Sequence, residues 1–112
     1  ERSDMDAEKQ KQLIEAGKFR ENNGAVMRVL NILDHTFHEL KDIEYALPNL
    51  TRGELTESIN YLNEEGYIHL RSSGDKVQTS LADKNFEELE ANATSKGLRL
   101  LRYVITDPCI RL

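Results

Sequence analysis

The sequence predicts a small α+β domain that is mainly helical, and three observations predict it. Apolar residues recur at helical spacing between Val26 and Leu40. Two independent signals for a helix start coincide at Thr51. Apolar and polar residues then alternate over Tyr67–Arg71, which is typical of a strand. Helices, a hairpin and a last helix along one short chain indicate the α+β class.

Length and charge limit the functions that the chain can have. Its 112 residues suffice for one domain and not for two. With 15 basic and 20 acidic side chains, the net charge of -5 argues against a general nucleic-acid coat protein, which would carry a large basic excess. No apolar run reaches the roughly 18 to 20 residues of a membrane span. We expect a cytoplasmic protein without membrane contact, in which the single cysteine, Cys109, forms no internal disulfide.

The first segment is predicted to be an N-terminal helical arm over residues 1–22. Helix-forming residues run from Met5 to Arg20, but the apolar side chains are too sparse for a buried helix: Leu13, Ile14 and Phe19. Asn22-Asn23-Gly24 then predicts a break, because Asn and Gly tolerate the backbone angles that end helices.

The core domain is predicted to span residues 23–106, followed by a tail over 107–112. A helix of about 15 residues is expected first, because its apolar residues follow the i, i+3, i+4, i+7 spacing. Those residues are Val26, Val29, Leu30, Leu33, Phe37 and Leu40. A shorter helix from about Asp42 to Leu47 follows, and Pro48 ends it because residues before proline avoid helical angles.

A third helix is predicted to begin at Thr51. Thr51-Arg52-Gly53-Glu54 matches a capping box, and Leu50 and Leu55 stand at the positions of a hydrophobic staple. The helix is expected to end near Glu65, with Gly66 in the left-handed cap position. Helix, short helix, tight turn and helix form the helix-turn-helix layout, although helical hairpins of unrelated bundles share part of it.

A β-hairpin and a last helix are predicted after Gly66. Tyr67–Arg71 forms the first strand, residues 72–75 a turn, and Lys76–Thr79 is a candidate returning strand. Residues 80–93 fit either a helix or a strand by pattern. We favour a helical turn around Ala82–Asn85 and a strand from about Glu88 to Ala93. Thr94 caps the last helix, which Asp107-Pro108 ends.

Two motifs resemble winged helix-turn-helix proteins, especially bacterial regulators of the MarR, ArsR and PadR types. Leu62-Asn63-Glu64-Glu65-Gly66-Tyr67-Ile68 matches the exit from the recognition helix into the wing of that superfamily. Ala93-Thr94-Ser95-Lys96-Gly97-Leu98 matches the start of its final helix. The resemblance covers roughly residues 25–105. The ending Asp107-Pro108-Cys109-Ile110 is also similar to small winged-helix proteins of prophages and mobile elements.

The resemblance implies a double-stranded DNA partner. The second helix of the motif would enter the major groove and the wing would touch the backbone. The residues carried over are Arg52, Thr56, Ser58 and Asn60 for bases and Arg71 and Lys76 for phosphates. From Thr51 to Glu65, however, the sequence has one basic and four acidic residues, a net charge of -3. One of the acidic residues, Glu57, is expected near the DNA-facing surface. We therefore expect DNA binding of limited affinity.

A homodimer is predicted, because the apolar stripe of the last helix is richer than one small domain needs to cover its hairpin. One protomer also offers fewer than the about 6 to 10 phosphate contacts that are typical of specific binders. Terminal helices build the dimer interface in similar proteins, and the apolar stripe of the last helix would do so here: Leu98, Leu101, Val104 and Ile105. The alternative is an acidic winged-helix domain that binds a protein partner and not DNA.

An enzyme is not expected, since the sequence has no phosphate loop, nucleophile elbow or zinc ribbon. Neither a cofactor nor a metal is expected. Two histidines stand at i, i+3 within the acidic group Asp34, His35, His38 and Glu39, but a zinc site needs three or four ligands. We interpret this group as a solvated helix face.

Overall fold

The computed structural model describes residues 3–33 and 36–112, which form four α-helices and a small antiparallel sheet. In chain order the elements are α1 (Ser3–Ile32), β1 (His38–Glu39), α2 (Leu40–Ala46), α3 (Arg52–Glu64), β2 (Ile68–Ser72), a 3-10 turn (Phe86–Glu88), β3 (Leu89–Ala93) and α4 (Ser95–Leu101). The predicted α+β class with a helical majority is confirmed.

Helix α1 is continuous, and the predicted break at Asn22-Asn23-Gly24 is wrong. Asn23 is fully buried, and its side-chain amide donates to the Cys109 carbonyl at 2.9 Å. A Cβ atom at Gly24 would lie 1.8 Å from the Arg111 carbonyl oxygen. Asn23 and Gly24 therefore allow the C-terminal segment to pack closely against α1, and the helix continues through them.

The C-terminal end of α1 also differs from the prediction. Val26 and Leu30 are buried as expected, but the helix ends at Ile32. Phe37 lies just before β1, and Leu40 is the first residue of α2. Consecutive elements that bury their apolar residues in one core can continue a helical spacing by chance, so the spacing did not reveal the end of α1.

Helices α2 and α3 lie close to their predicted positions. The amide of Glu54 donates to the Thr51 hydroxyl oxygen at 3.1 Å, and the Thr51 amide donates to the Glu54 carboxylate at 2.9 Å, which confirms the capping box. Gly66 has a φ of +83°, as expected for a residue in the left-handed cap position. α3 buries the apolar stripe Leu55, Ile59 and Leu62.

The sheet has the strand order β1-β3-β2, with both pairs antiparallel. Leu70 and Ala91 are paired and face the core. Because side chains alternate along a strand, the neighbouring pairs His69 with Asn92 and Arg71 with Glu90 lie on the opposite, outer face. The predicted strand near Glu88–Ala93 is confirmed as β3.

The candidate strand Lys76–Thr79 is wrong as a full strand. It makes one bridge, Arg71 with Gln78, along the second edge of β2. The chain turns sharply before it, because Lys76 has a φ of 63° and its amide donates to the Ser72 carbonyl. The predicted helical turn around Ala82–Asn85 corresponds to a hydrogen-bonded turn that begins at Ser80.

Helix α4 is shorter than predicted. Thr94 caps it as expected, accepting from the Gly97 amide at 3.0 Å, but the helix ends at Leu101. Tyr103 has a φ of 62°, which turns the chain away from the helical path. The predicted helix over Val104 and Ile105 is therefore wrong.

The C-terminal residues pack into the protein. The Asp107 carboxylate accepts from the hydroxyls of Tyr61 and Tyr67 at 2.9 and 2.8 Å and from the Cys109 amide at 2.8 Å. Burial and the hydrogen bond to Asp107 raise the pKa of Tyr67 to about 12. Ile110 joins the buried core. These contacts attach residues 107–112 to α1, α3 and the loop before β2.

Candidate nucleic-acid interface

Helix α3 presents a polar face that could meet base edges. Thr56, Asn60 and Asn63 stand at i, i+4 and i+7, so they share one side of the helix. Asn60 is exposed and Thr56 is half-buried, with its hydroxyl donating to the Gly53 carbonyl at 3.0 Å. Amides and hydroxyls of this kind can hydrogen-bond to bases or phosphates.

Ser58 does not belong to this face. Its side chain is fully buried, and within residues 3–33 and 36–112 its hydroxyl oxygen has no hydrogen-bond partner. A base cannot reach Ser58, because no part of this residue is exposed to solvent. The prediction that Ser58 contacts DNA is therefore wrong, and the reason is that this side of α3 packs into the protein.

Arg52 is held by two carboxylates. Its Nε donates to Glu44 at 2.6 Å, and a terminal nitrogen donates to Glu87 at 2.8 Å. These hydrogen bonds raise the pKa of the guanidinium. Its carbon also lies 4.0 Å from the centroid of the Phe86 ring. One guanidinium and two carboxylates sum to -1, so this cluster offers DNA no excess positive charge.

An acidic groove lies between α1 and the N-terminal half of α3. Its volume is about 510 Å³, and three of its lining residues are acidic: Glu15, Glu54 and Glu57. Lys18 is the basic side chain in the same lining. The segment predicted as a separate arm therefore lies beside the helix predicted to read DNA, and both contribute negative charge there.

The two predicted wing cations share one carboxylate. Arg71 Nε donates to Glu90 at 2.6 Å, and Lys76 Nζ donates to the same oxygen at 3.1 Å. Glu90 is only 6% exposed; burial raises its pKa, but the hydrogen bonds from Arg71 and Lys76 outweigh burial and lower it. Two cations and one carboxylate sum to +1, the opposite sign to the Arg52 cluster.

Two adjacent hollows lie along the outer side of the sheet, and together we call them the sheet groove. Their volumes are about 360 and 460 Å³, and both linings include His69 and Gln78. The first hollow is lined by Phe37, His69, Leu70, Arg71, Lys76, Gln78 and Asn92, and the second by Asn63, Gly66, Ile68, His69, Gln78, Thr94, Ser95 and Lys96. Neither lining contains a carboxylate among the described residues.

Only Arg71 and Lys76 of this groove were predicted as site residues from the sequence, and the residues that were missed include Phe37, His69, Asn92 and Lys96. The alternation of Ile68 and Leu70 with His69 and Arg71 already predicts that the last two share the outer face. Asn92 could not be placed, because its position depends on the register between β2 and β3. Phe37 was assigned to a helix that ends before it.

The predicted dimer residues are only partly accessible. Leu101 is buried within the protomer, and Leu98 and Ile105 are half-buried against the core. Val104 is 67% exposed beside Tyr103, which is 71% exposed. Val104 is therefore the predicted interface residue that stays exposed, and the neighbouring Tyr103, which was not predicted, adds an exposed ring.

The group interpreted as a solvated helix face is not on a helix where the structure describes it. His38 and Glu39 form β1, whereas Asp34 and His35 lie outside the described residues. Over the described ranges, no three potential metal-ligating side chains converge. Likewise, no helix there has the length and hydrophobicity needed to span a bilayer.

Comparison of the chain with protein-family models, with curated proteins and with solved structures finds no match. The winged-helix resemblance therefore rests on the two sequence motifs at residues 62–68 and 93–98. The candidate interface rests on the geometry of α3 and the sheet groove.

Proposed function

We propose that the protein is a winged-helix DNA-binding protein that acts as a dimeric bacterial transcriptional regulator. The element order supports this proposal, since three helices precede a wing hairpin and a last helix follows it. The hairpin partner of β2 is β3, and the loop between them carries Lys76. α3 would enter the major groove while this loop approaches the backbone.

One observation carries the proposal: the polar face of α3 runs into the sheet groove. Asn63 belongs to both, and beyond it the groove contains the cations Lys96, Arg71 and Lys76. With Glu90 behind them, these groups sum to +2 in a chain whose net charge is -5. Such local charge separation brings phosphates to one side of an acidic protein.

The expected affinity is modest. Three cations per protomer fall short of the about 6 to 10 phosphate contacts of a specific binder, and a dimer doubles them. The exposed pair Tyr103 and Val104 is the surface we assign to dimerisation. Light scattering at tens of micromolar protein tests it: a dimer is expected, and Val104→Lys should give a monomer.

Fluorescence anisotropy with a labelled duplex tests DNA binding. Binding is expected at about 50 mM salt and should fall steeply by about 200 mM. Asn60→Ala should weaken it about tenfold, and Lys76→Gln should weaken it and lower the salt dependence. Arg99→Gln, which removes one exposed charge from α4, is the matched control. An unchanged anisotropy at the lower salt concentration would refute the proposal.

The alternative, a protein-binding domain, is favoured by the acidic groove and by the exposed side chains of Leu13 and Ile14 on α1. A basic partner would suit the carboxylates of Glu15 and Glu57. In that case a labelled Lys-rich peptide should bind, Glu57→Gln should weaken the peptide complex, and duplex DNA should not bind. If DNA binds and the peptide does not, this alternative is wrong.

A further inference from the structure

The sheet groove contains a stacked cation and two aromatic rings. The guanidinium carbon of Arg71 lies 3.6 Å from the centroid of the Phe37 ring. The rings of Phe37 and His69 are 6.4 Å apart at an interplanar angle of 35°. Nucleic-acid bases that are not paired stack on aromatic rings and on guanidinium planes of this kind. A planar ligand is therefore a natural occupant.

Positive charge adjoins these rings. Arg71 pairs with Glu90 through Nε, and its terminal nitrogens carry further N–H donors. Lys76 is about half exposed and lines the same hollow. Because two cations share one carboxylate, the hollow keeps a net positive charge that favours an anion. Planarity and negative charge together point to a phosphorylated heterocycle.

Asn92 is half-buried and lines the same hollow. Its side-chain Oδ1 is buried and has no hydrogen-bond partner among the described residues. Buried polar atoms are nearly always paired, since leaving one unpaired costs about 1 to 3 kcal/mol. The N–H groups on the edge of a nucleobase would satisfy it. An apolar ring has no N–H or O–H donor and would not do so.

We propose that the outer face of the sheet binds an unpaired nucleotide, with its phosphate on Arg71 and Lys76, its base stacked beside Phe37 and His69, and its base edge bonded to Asn92. The nucleotide is either free or part of a single strand. The site shares Arg71 and Lys76 with the proposed duplex interface but does not include the exposed face of α3, so variants of that face separate the two proposals.

The first test compares three ligands. ¹⁵N-labelled protein is titrated at low salt with AMP, with ribose 5-phosphate, which lacks the base, and with inorganic phosphate. AMP should shift the Asn92 side-chain amide and the His69 backbone amide and bind about tenfold more tightly than ribose 5-phosphate. Equal affinities for AMP and ribose 5-phosphate, or no binding of AMP, would overturn the proposal.

Asn92→Leu is the decisive variant. It removes an acceptor that has no partner, so the stability of the protein should not fall. Its affinity for AMP should fall at least about fivefold, while the affinity for ribose 5-phosphate stays unchanged. If the variant binds AMP as well as the wild type does, the base does not bond to Asn92 and the proposal is wrong.

Charge variants test the phosphate end. Arg71→Gln alone leaves Glu90 with less compensation and could unfold the sheet, so it is paired with Glu90→Gln in one chain. The double variant should fold, as judged by circular dichroism, and lose affinity for both AMP and ribose 5-phosphate. Arg99→Gln again serves as the control with unchanged affinity. Retained binding in the double variant would contradict the assignment.

The source of the nucleotide is resolved by labelled oligo(dA). An unpaired strand as ligand predicts that oligo(dA) binds more tightly than AMP, is displaced by AMP and is weakened by Asn92→Leu. A free nucleotide predicts that AMP binds and oligo(dA) does not. Asn60→Ala should leave AMP binding intact even if it abolishes duplex binding, so the two proposals can fail separately.

Discussion

At the scale of single residues, ion pairs within the protein decide which basic side chains keep an excess positive charge that can bind an anionic ligand. Arg52 has two carboxylates against one guanidinium, whereas Arg71 and Lys76 share the single carboxylate of Glu90. Arg52, Arg71 and Lys76 look equivalent in the sequence. In the structure, the cluster around Arg52 carries a net charge of -1, whereas the cluster of Arg71, Lys76 and Glu90 carries +1. The cluster of Arg71, Lys76 and Glu90 keeps an excess positive charge, and the start of α3 does not.

Releasing Arg52 should raise duplex affinity. Glu44→Gln combined with Glu87→Gln removes both acceptors, so the guanidinium can turn to a phosphate, and we expect an increase on the order of threefold to tenfold at low salt. Anisotropy measures the effect. Because any lost carboxylate reduces repulsion, Glu8→Gln combined with Glu15→Gln serves as a charge-matched control on α1. An equal gain in the control would show that release of Arg52 has no specific role.

Two glycines of the same helix should respond oppositely to alanine. A Cβ at Gly24 would collide with the Arg111 backbone, whereas a Cβ at Gly17 meets nothing within 4 Å. Gly24→Ala should lower the free energy of unfolding by about 1 to 3 kcal/mol. Gly17→Ala should raise it by up to about 1 kcal/mol, because alanine favours a helix. Urea unfolding measures both, and equal effects would contradict the packing at Gly24.

At the scale of elements, the helix starts were predictable and the helix ends were less so. Thr51 and Thr94 cap α3 and α4 through bonds that span three residues, so a local sequence contains the whole interaction. The ends of α1 and α4 depend on how the following chain packs. That is why Phe37 and Val104 were placed on helices that end before them.

The capping box allows a test at this scale. Thr51→Ala removes the hydroxyl that accepts from the Glu54 amide and should lower the free energy of unfolding by about 1 kcal/mol. Thr106→Ala, at an exposed position outside any helix or strand, should change it by less than about 0.5 kcal/mol. Equal losses in the two variants would mean that the cap does not stabilise α3.

At the scale of the whole molecule, the free energy of unfolding should fall at both acidic and alkaline pH. Hydrogen bonds from Arg52 lower the pKa of Glu44 and Glu87 below 4.5, so the stability they contribute is present above that pH and is lost as the pH falls further. Burial and the bond to Asp107 raise the pKa of Tyr67 from 10.0 to about 12. A raised pKa means that this contribution is full below pH 10 and is lost between about 10 and 12.

Urea midpoints between about pH 3 and 12 should therefore form a plateau from about 5 to 9, with a fall at each end. Tyr67→Phe removes the titrating hydroxyl and should reduce the alkaline fall without changing the acidic one. A midpoint that rises on acidification from pH 5 to 3 would contradict the carboxylate assignment.

The sequence by itself determined the α+β class, the caps of α3 and α4, the left-handed Gly66 and the strand alternation, because each depends on residues a few positions apart. Tertiary structure alone decided three matters. It made α1 continuous by packing the C-terminal segment against Gly24, it buried Ser58, and it set the register that brings Asn92 beside His69. These depend on contacts between distant parts of the chain, which no local pattern contains.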